Sequence, residues 1–179
     1  ENCASGGARM DAGMMYYFPQ TWASDNSDAV CRLKIQYGTS LCYPPVMTTS
    51  HISASPNHQM LRQTPLDFRA AVSYPFNLGY ELNLCKMSDE EIEKISEQTA
   101  LYKKIRPLVQ GGKFYRLLSP FEGNQTAWMT VSQDGTEFLV WYYKDFADPE
   151  EAYINVRLTG LEEKYIIRMR KEMLQRLIC

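Results

Sequence analysis

Up to about residue 110 the apolar positions alternate between helical and extended spacing, and beyond Gly112 they recur every second residue. Residues 1–24 hold Gly, Ser, Met and aromatics without a periodic run, which predicts a strand end followed by a long loop. Ser24-Asp25-Asn26-Ser27-Asp28 is a run of helix N-cap residues, and the segment behind it, Ala29 to Tyr37, predicts a helix stopped at Gly38. Thr39–Tyr43 is short and apolar, ended by Pro44-Pro45, and predicts a buried strand. Residues 46–64 predict a loop. Thr64-Pro65 opens a helix through about Val72, with Pro at its first position, and Phe76–Leu84 predicts an extended segment. Ser88-Asp89-Glu90-Glu91 is a capping box opening a helix whose one face carries Ile92, Ile95, Thr99, Tyr102 and Ile105, ended at Gly111-Gly112.

Past that point the pattern is that of strands. Phe114–Leu118 predicts one. Thr126–Ser132 and Thr136–Tyr143 predict a hairpin around Gln133-Asp134-Gly135, and Tyr153–Leu158 alternates as well. The expected architecture is therefore an α/β portion over 1–110 and an antiparallel β portion over 111–179. The first portion offers two barrel-like strands with their helices. A closed (β/α)8 barrel takes about 250 residues, so the chain reads as a fragment of such a barrel or as a unit that borrows strands.

Composition narrows the function classes. Lys and Arg number 19 against 21 Asp and Glu, a net charge of −2, which excludes a strongly basic nucleic-acid binder. Hydrophobic residues at 45% exclude a disordered chain, and no apolar run reaches the roughly 20 residues of a membrane-spanning helix. Five cysteines at irregular spacings (Cys3, Cys31, Cys42, Cys85, Cys179) form no zinc knuckle or redox pair, and predict reduced thiols in the cytoplasm with no bound metal. The chain begins with Glu1 rather than Met, and an upstream segment is expected.

Candidate chemistry starts in the loop before the first long helix, where Trp22 and Asp25 lie three apart. An indole offers an apolar face to a sugar ring, and a carboxyl beside it can protonate a leaving oxygen. The bland alternative is that Asp25 caps the helix and Trp22 packs. Cys3 with His51 or His58 would make a thiol nucleophile and base, a weaker reading because nothing in the spacing joins them. His51 and His58, seven apart across a Pro-containing loop, have no convincing metal-ligand spacing. Of Met14, Met15, Tyr16 and Tyr17, at least two are expected to pack.

Longer strings carry more. Asn2-Cys3-Ala4-Ser5-Gly6-Gly7-Ala8-Arg9, Pro19-Gln20-Thr21-Trp22-Ala23-Ser24-Asp25, Arg32-Leu33-Lys34-Ile35-Gln36-Tyr37-Gly38, Pro56-Asn57-His58-Gln59, Gly79-Tyr80-Glu81-Leu82 and Phe114-Tyr115-Arg116-Leu117-Leu118-Ser119-Pro120 together resemble the bacterial α-galactosidases of glycoside hydrolase family 36. The resemblance covers roughly residues 1–165. It implies the C-terminal portion of a (β/α)8 TIM barrel over 1–110, then a C-terminal antiparallel β domain over 111–179. It also implies a retaining enzyme that removes terminal α-linked galactose from oligosaccharides of the raffinose and melibiose kind. By resemblance Cys3 and Gly6 line the galactose pocket, Trp22 contacts the sugar and Asp25 is the general acid/base. No cofactor, nucleic acid or membrane partner is implied, and the intact enzyme is expected to form a homo-oligomer.

Ala8 and Met10 depart from the family, which has a glycine and an aromatic there. The family's Lys-Trp-Asp motif with the nucleophilic aspartate does not occur in these residues. The nucleophile is thus expected upstream; the alternative is a non-catalytic sugar-binding or interaction module. From Lys164 onward five basic residues stand against the single acid Glu172. The tail 166–179 reads either as a basic amphipathic helix or, the preferred reading, as the product of a frameshift near Tyr165, since a β domain would otherwise stop with exposed edges.

Overall fold

A computed structural model describes residues 2–3, 9–146 and 155–161. Gly6 and the tail 166–179 lie outside the described residues. The chain divides into two compact units, Glu1–Gln110 and Gly111–Cys179.

The first unit is a parallel sheet with helices. Its strands are β1 (Asn2–Cys3), β2 (Thr21–Trp22), β3 (Thr48–Ser53) and β4 (Asn77–Glu81), in the order β1-β2-β3-β4. All three pairings are parallel. Among the described residues four strands therefore replace the two expected. A short helix, α1 (Ala12–Tyr17), joins β1 to β2, and the Asp11 side chain caps it by accepting from Met14 N at 2.9 Å. On α1 Met15 is buried, Met14 is half-buried, and Tyr16 and Tyr17 are exposed.

α2 (Ala29–Ser40) runs through Gly38, which does not stop it. The predicted strand at 39–43 is replaced by the last helical residues and the turn after them. Leu41 keeps right-handed helical angles and is 60% exposed, so this segment is not a buried strand. The buried strand is β3, from the segment predicted as loop. Its Thr48, Thr49, Ser50 and Ser53 are buried although polar. For Ser50 and Ser53 long-range hydrogen bonds offset this burial, from Ser50 Oγ to Gln36 Oε1 on α2 at 2.5 Å and from Ser53 Oγ to Ser27 O at 3.0 Å, whereas the Thr48 and Thr49 hydroxyls are buried without a hydrogen-bond partner. A search for apolar runs passes over such a strand.

α3 (Leu66–Ser73) starts after Pro65, without a side-chain cap. Leu66 and Ala70 on α3 pack with Ile52 of β3, and Leu78, Tyr80 and Ile95 close over them. α4 (Asp89–Gly111) opens on the expected capping box, with Ser88 N donating to Glu91 Oε2 and Glu91 N donating to Ser88 Oγ. Of its expected stripe Tyr102 is buried, Ile95, Thr99 and Ile105 are half-buried, and Ile92 alone is exposed, at 41%, with Gln98 and Val109 added to the buried side. Polar anchoring holds two of the buried residues: Tyr102 Oη donates to Phe76 O at 2.7 Å, and Gln98 Nε2 donates to Asp67 Oδ1 at 3.0 Å.

The second unit is an antiparallel sheet of β5 (Lys113–Leu118), β6 (Gln125–Val131) and β7 (Phe138–Lys144), ordered β5-β6-β7. The β6–β7 hairpin turns around Gly135, whose φ of +73° suits the missing side chain. Trp128 and Tyr143 are fully buried, with ring centroids 5.2 Å apart. Of the expected strand at 153–158, the described residues 155–158 are not in a strand.

Candidate active site

Strand register decides which side chains share a face. Cys3 pairs with Trp22, Trp22 with Thr49, Thr49 with Asn77, His51 with Gly79 and Ser53 with Glu81. Because side chains alternate along a strand, Cys3, Trp22, His51 and Glu81 project from one face. Ser50 and Ile52 project from the other, toward α2 and α3.

On that first face, at the C-terminal ends of the strands, a cleft of about 310 Å³ is lined by Cys3, Trp22, Asp25, His58, Gln59 and Glu81. Parallel α/β folds place their chemistry at this end. A second hollow of about 250 Å³ lies at the opposite end of the strands, lined by Gln20, Thr49, His51 and Asn77 among others. The Trp22 and His51 rings stand between the two, centroids 4.0 Å apart and edge to face at 78°. His51 and His58 are thus at different levels, and only His58 shares the cleft with Cys3.

The capping alternative for Asp25 does not hold. The N-cap of α2 is Asp28, whose Oδ2 accepts from Cys31 N at 3.0 Å. Asp28 is 1% exposed and its Oδ1 lies 3.2 Å from Arg62 Nε, an ion pair by distance though poorly aligned as a hydrogen bond. Asp25, three residues earlier, is exposed and lines the cleft.

Sequence reasoning passed over three residues here. Arg32 is 2% exposed, with its guanidinium carbon 5.9 Å from the centre of the Trp22 ring and Nη2 donating to Ser24 O at 2.6 Å. Burial pulls its pKa down to about 10, opposed by the Glu81 and Asp25 carboxylates. Gln59 and Glu81 both line the cleft. They sit inside the Pro56–Gln59 and Gly79–Leu82 strings, so the signal was present, but neither side chain has a role legible from spacing alone. Among the described residues no group of three or more His, Cys, Asp or Glu could hold a metal ion. Nor is any described helix long and apolar enough to cross a membrane.

Such a cleft, with an indole, a carboxyl and a thiol at the ends of parallel strands, suits a carbohydrate-processing enzyme. Residues 1–112 match the Melibiase family model, and residues 125–172 match that of the glycosyl hydrolase family 36 C-terminal domain. The chain belongs to glycoside hydrolase family 36. Among its relatives, α-galactosidase AgaA of Geobacillus stearothermophilus is 52% identical over 162 residues, and α-galactosidase 1 of Pediococcus pentosaceus 48% over 164 residues. These alignments take in 90% and 92% of this chain, but the chain spans only 22% of the length of either relative. The crystal structure of the Geobacillus AgaA enzyme superposes with a TM-score of 0.85 at 53% identity, covering 88% of this chain and 22% of that one. Variants of that enzyme have been solved with raffinose and with stachyose. The fold is accordingly the C-terminal portion of a (β/α)8 barrel followed by an antiparallel β domain.

Proposed function

We propose that this chain is the acid/base-bearing part of a retaining α-galactosidase, which hydrolyses terminal non-reducing α-D-galactose from raffinose- and melibiose-type oligosaccharides. Residues 1–110 serve as the C-terminal part of the catalytic barrel and 111–179 as its β domain. The observation that carries this reading is the position of Asp25. It is released from helix capping by Asp28, and it lines the cleft beside Trp22 and Cys3.

In a retaining mechanism two carboxyl groups stand about 5–5.5 Å apart, one as nucleophile and one as acid/base. Asp25 donates its proton to the glycosidic oxygen as the first bond breaks. It then takes a proton from the water that releases galactose from the covalent intermediate. The nucleophilic carboxylate comes from a segment outside this chain. Trp22 presents its face to the apolar side of the galactose ring, and Cys3 and Gly6 line the galactose pocket. Arg32 lies over the indole, a cation–π contact at 5.9 Å. The reaction needs no cofactor.

The free thiols of Cys3, Cys31, Cys42 and Cys85 support a reducing, cytoplasmic location. A homo-oligomer is proposed for the complete enzyme by kinship alone.

The test is Asp25→Asn in the full-length enzyme that carries this chain. Turnover should collapse on melibiose, whose leaving sugar needs a proton, and fall less at the glycosylation step on activated aryl α-galactosides. Azide should restore the second step by attacking without a base. An equal loss on every substrate, with no azide effect, overturns the assignment. The parallel variant Glu81→Gln separates the two carboxyls of the cleft: the leaving-group signature belongs to Asp25 alone.

A further inference from the structure

The segment from Ala23 to Ser27 leaves β2 and leads into α2 outside any strand or helix. A segment of this kind keeps a single shape only when side chains satisfy its peptide groups. Ser24 O accepts from Arg32 Nη2, and Ser27 O accepts from Ser53 Oγ. Between these anchors lies Asp25, and one side chain spans it. Gln59 Nε2 donates to Asp25 O at 2.8 Å, while Gln59 Oε1 accepts from Ser27 N at 3.1 Å. The two ends of one amide thus hold the peptide groups on the C-terminal side of Asp25.

Gln59 is itself held. Its backbone N–H donates to Asn57 Oδ1 at 3.0 Å, and the buried Asn57 donates through Nδ2 to Ser27 Oγ at 3.1 Å. A hydrogen-bonded path therefore runs from the end of β3 through Asn57 and Gln59 to the backbone of Asp25. We infer that Gln59 is the positioning residue for Asp25, setting where its carboxyl meets the glycosidic oxygen; this rests on the acid/base reading above.

The chemistry of the position is demanding. Its side chain must donate at one end and accept at the other, with the reach of two methylenes. Asparagine is one methylene short. Glutamate keeps the acceptor for Ser27 N, but when ionised it sets a second acceptor against Asp25 O. Gln59 is exposed, so its removal leaves the packed core intact. That separates positioning from folding.

The experiment uses the full-length enzyme and a series of α-galactosides running from melibiose to dinitrophenyl α-galactoside. Gln59→Met should lose roughly tenfold to hundredfold in kcat/KM on melibiose, the scale expected for an ångström-sized misplacement of a catalytic group. On the dinitrophenyl substrate, whose leaving group needs no proton, it should stay within about threefold, and its melting temperature should stay near that of the parent. Gln59→Glu should recover on melibiose, relative to the parent, as pH falls and its carboxyl regains a proton to donate to Asp25 O. A loss shared equally by all substrates, or no loss, overturns the inference. Asp25→Asn run in the same series tells which idea failed. If it shows the leaving-group dependence and Gln59→Met does not, only the positioning role falls. If it shows none, the acid/base reading falls and the positioning role with it.

Discussion

His51 meets the indole of Trp22 edge-on with ring centroids 4.0 Å apart, and its imidazole fills the space where a side chain on Gly79 would begin. His51 and Gly79 are direct partners across β3 and β4. The absence of one Cβ on β4 therefore sets the seat of an aromatic ring two strands away. Gly79→Ala should push the imidazole toward Trp22 and cost about 1–3 kcal/mol through overpacking. If Trp22 is the sugar platform proposed above, KM of the full-length enzyme for α-galactosides should rise as the indole tilts. Thermal unfolding together with steady-state kinetics checks both, and an alanine variant with unchanged stability and KM would show that the ring has room to spare.

The division of labour between Asp25 and Asp28 is measurable on the chain itself. Asp28→Ala removes the N-cap of α2 and should lower unfolding free energy by about 0.5–2 kcal/mol. Asp25→Ala, at an exposed position that caps nothing, should stay within about 0.5 kcal/mol of the parent. Urea denaturation followed by circular dichroism compares them. Equal losses would return Asp25 to a structural role.

The isolated 179 residues should not turn over any α-galactoside. They carry the proposed acid/base, Asp25, but no nucleophile of the Lys-Trp-Asp kind, and a double displacement needs both. Glu81 shares the cleft with Asp25, which makes the assay informative. Release of nitrophenol by the purified chain would mean that Asp25 and Glu81 together suffice.

The β6–β7 turn should titrate in acid. Asp134 Oδ1 accepts from the Ser132 hydroxyl at 2.6 Å and from the Thr136 N–H and hydroxyl at 3.1 and 2.9 Å. These bonds favour the carboxylate and hold its pKa below the ordinary 3.8, the Ser132 hydroxyl contributing most. A group depressed in the folded state stabilises it above the unfolded value, and that contribution is lost as pH falls through the folded value. The Thr136 amide resonance should therefore move with a midpoint below 3.8, and Asp134→Asn should abolish the movement. A midpoint at or above 3.8 would contradict the network.

Local signals carried part of the fold. Ser88 with Glu91 announced α4, Thr126–Tyr143 around Gly135 announced the hairpin, and the strings around Trp22 and Asp25 pointed to the family. Each of these depends on residues close together in the chain, where caps, turns and period express themselves directly.

What tertiary structure alone decided depends on partners distant in sequence. β3 is a strand because Gln36 on α2 and Ser27 in the loop before it supply partners for its serines. Five candidate caps stood in a row at 24–28, and the burial of Asp28 with its bond to Cys31 N made it the cap, leaving Asp25 to the cleft. Gln59 is one polar residue in a loop until the sheet carries it back, 34 residues along the chain, to the carbonyl of Asp25. Periodicity records which face of an element is apolar. It does not record where a buried hydroxyl or an amide finds its partner, because that depends on how separate elements meet in space.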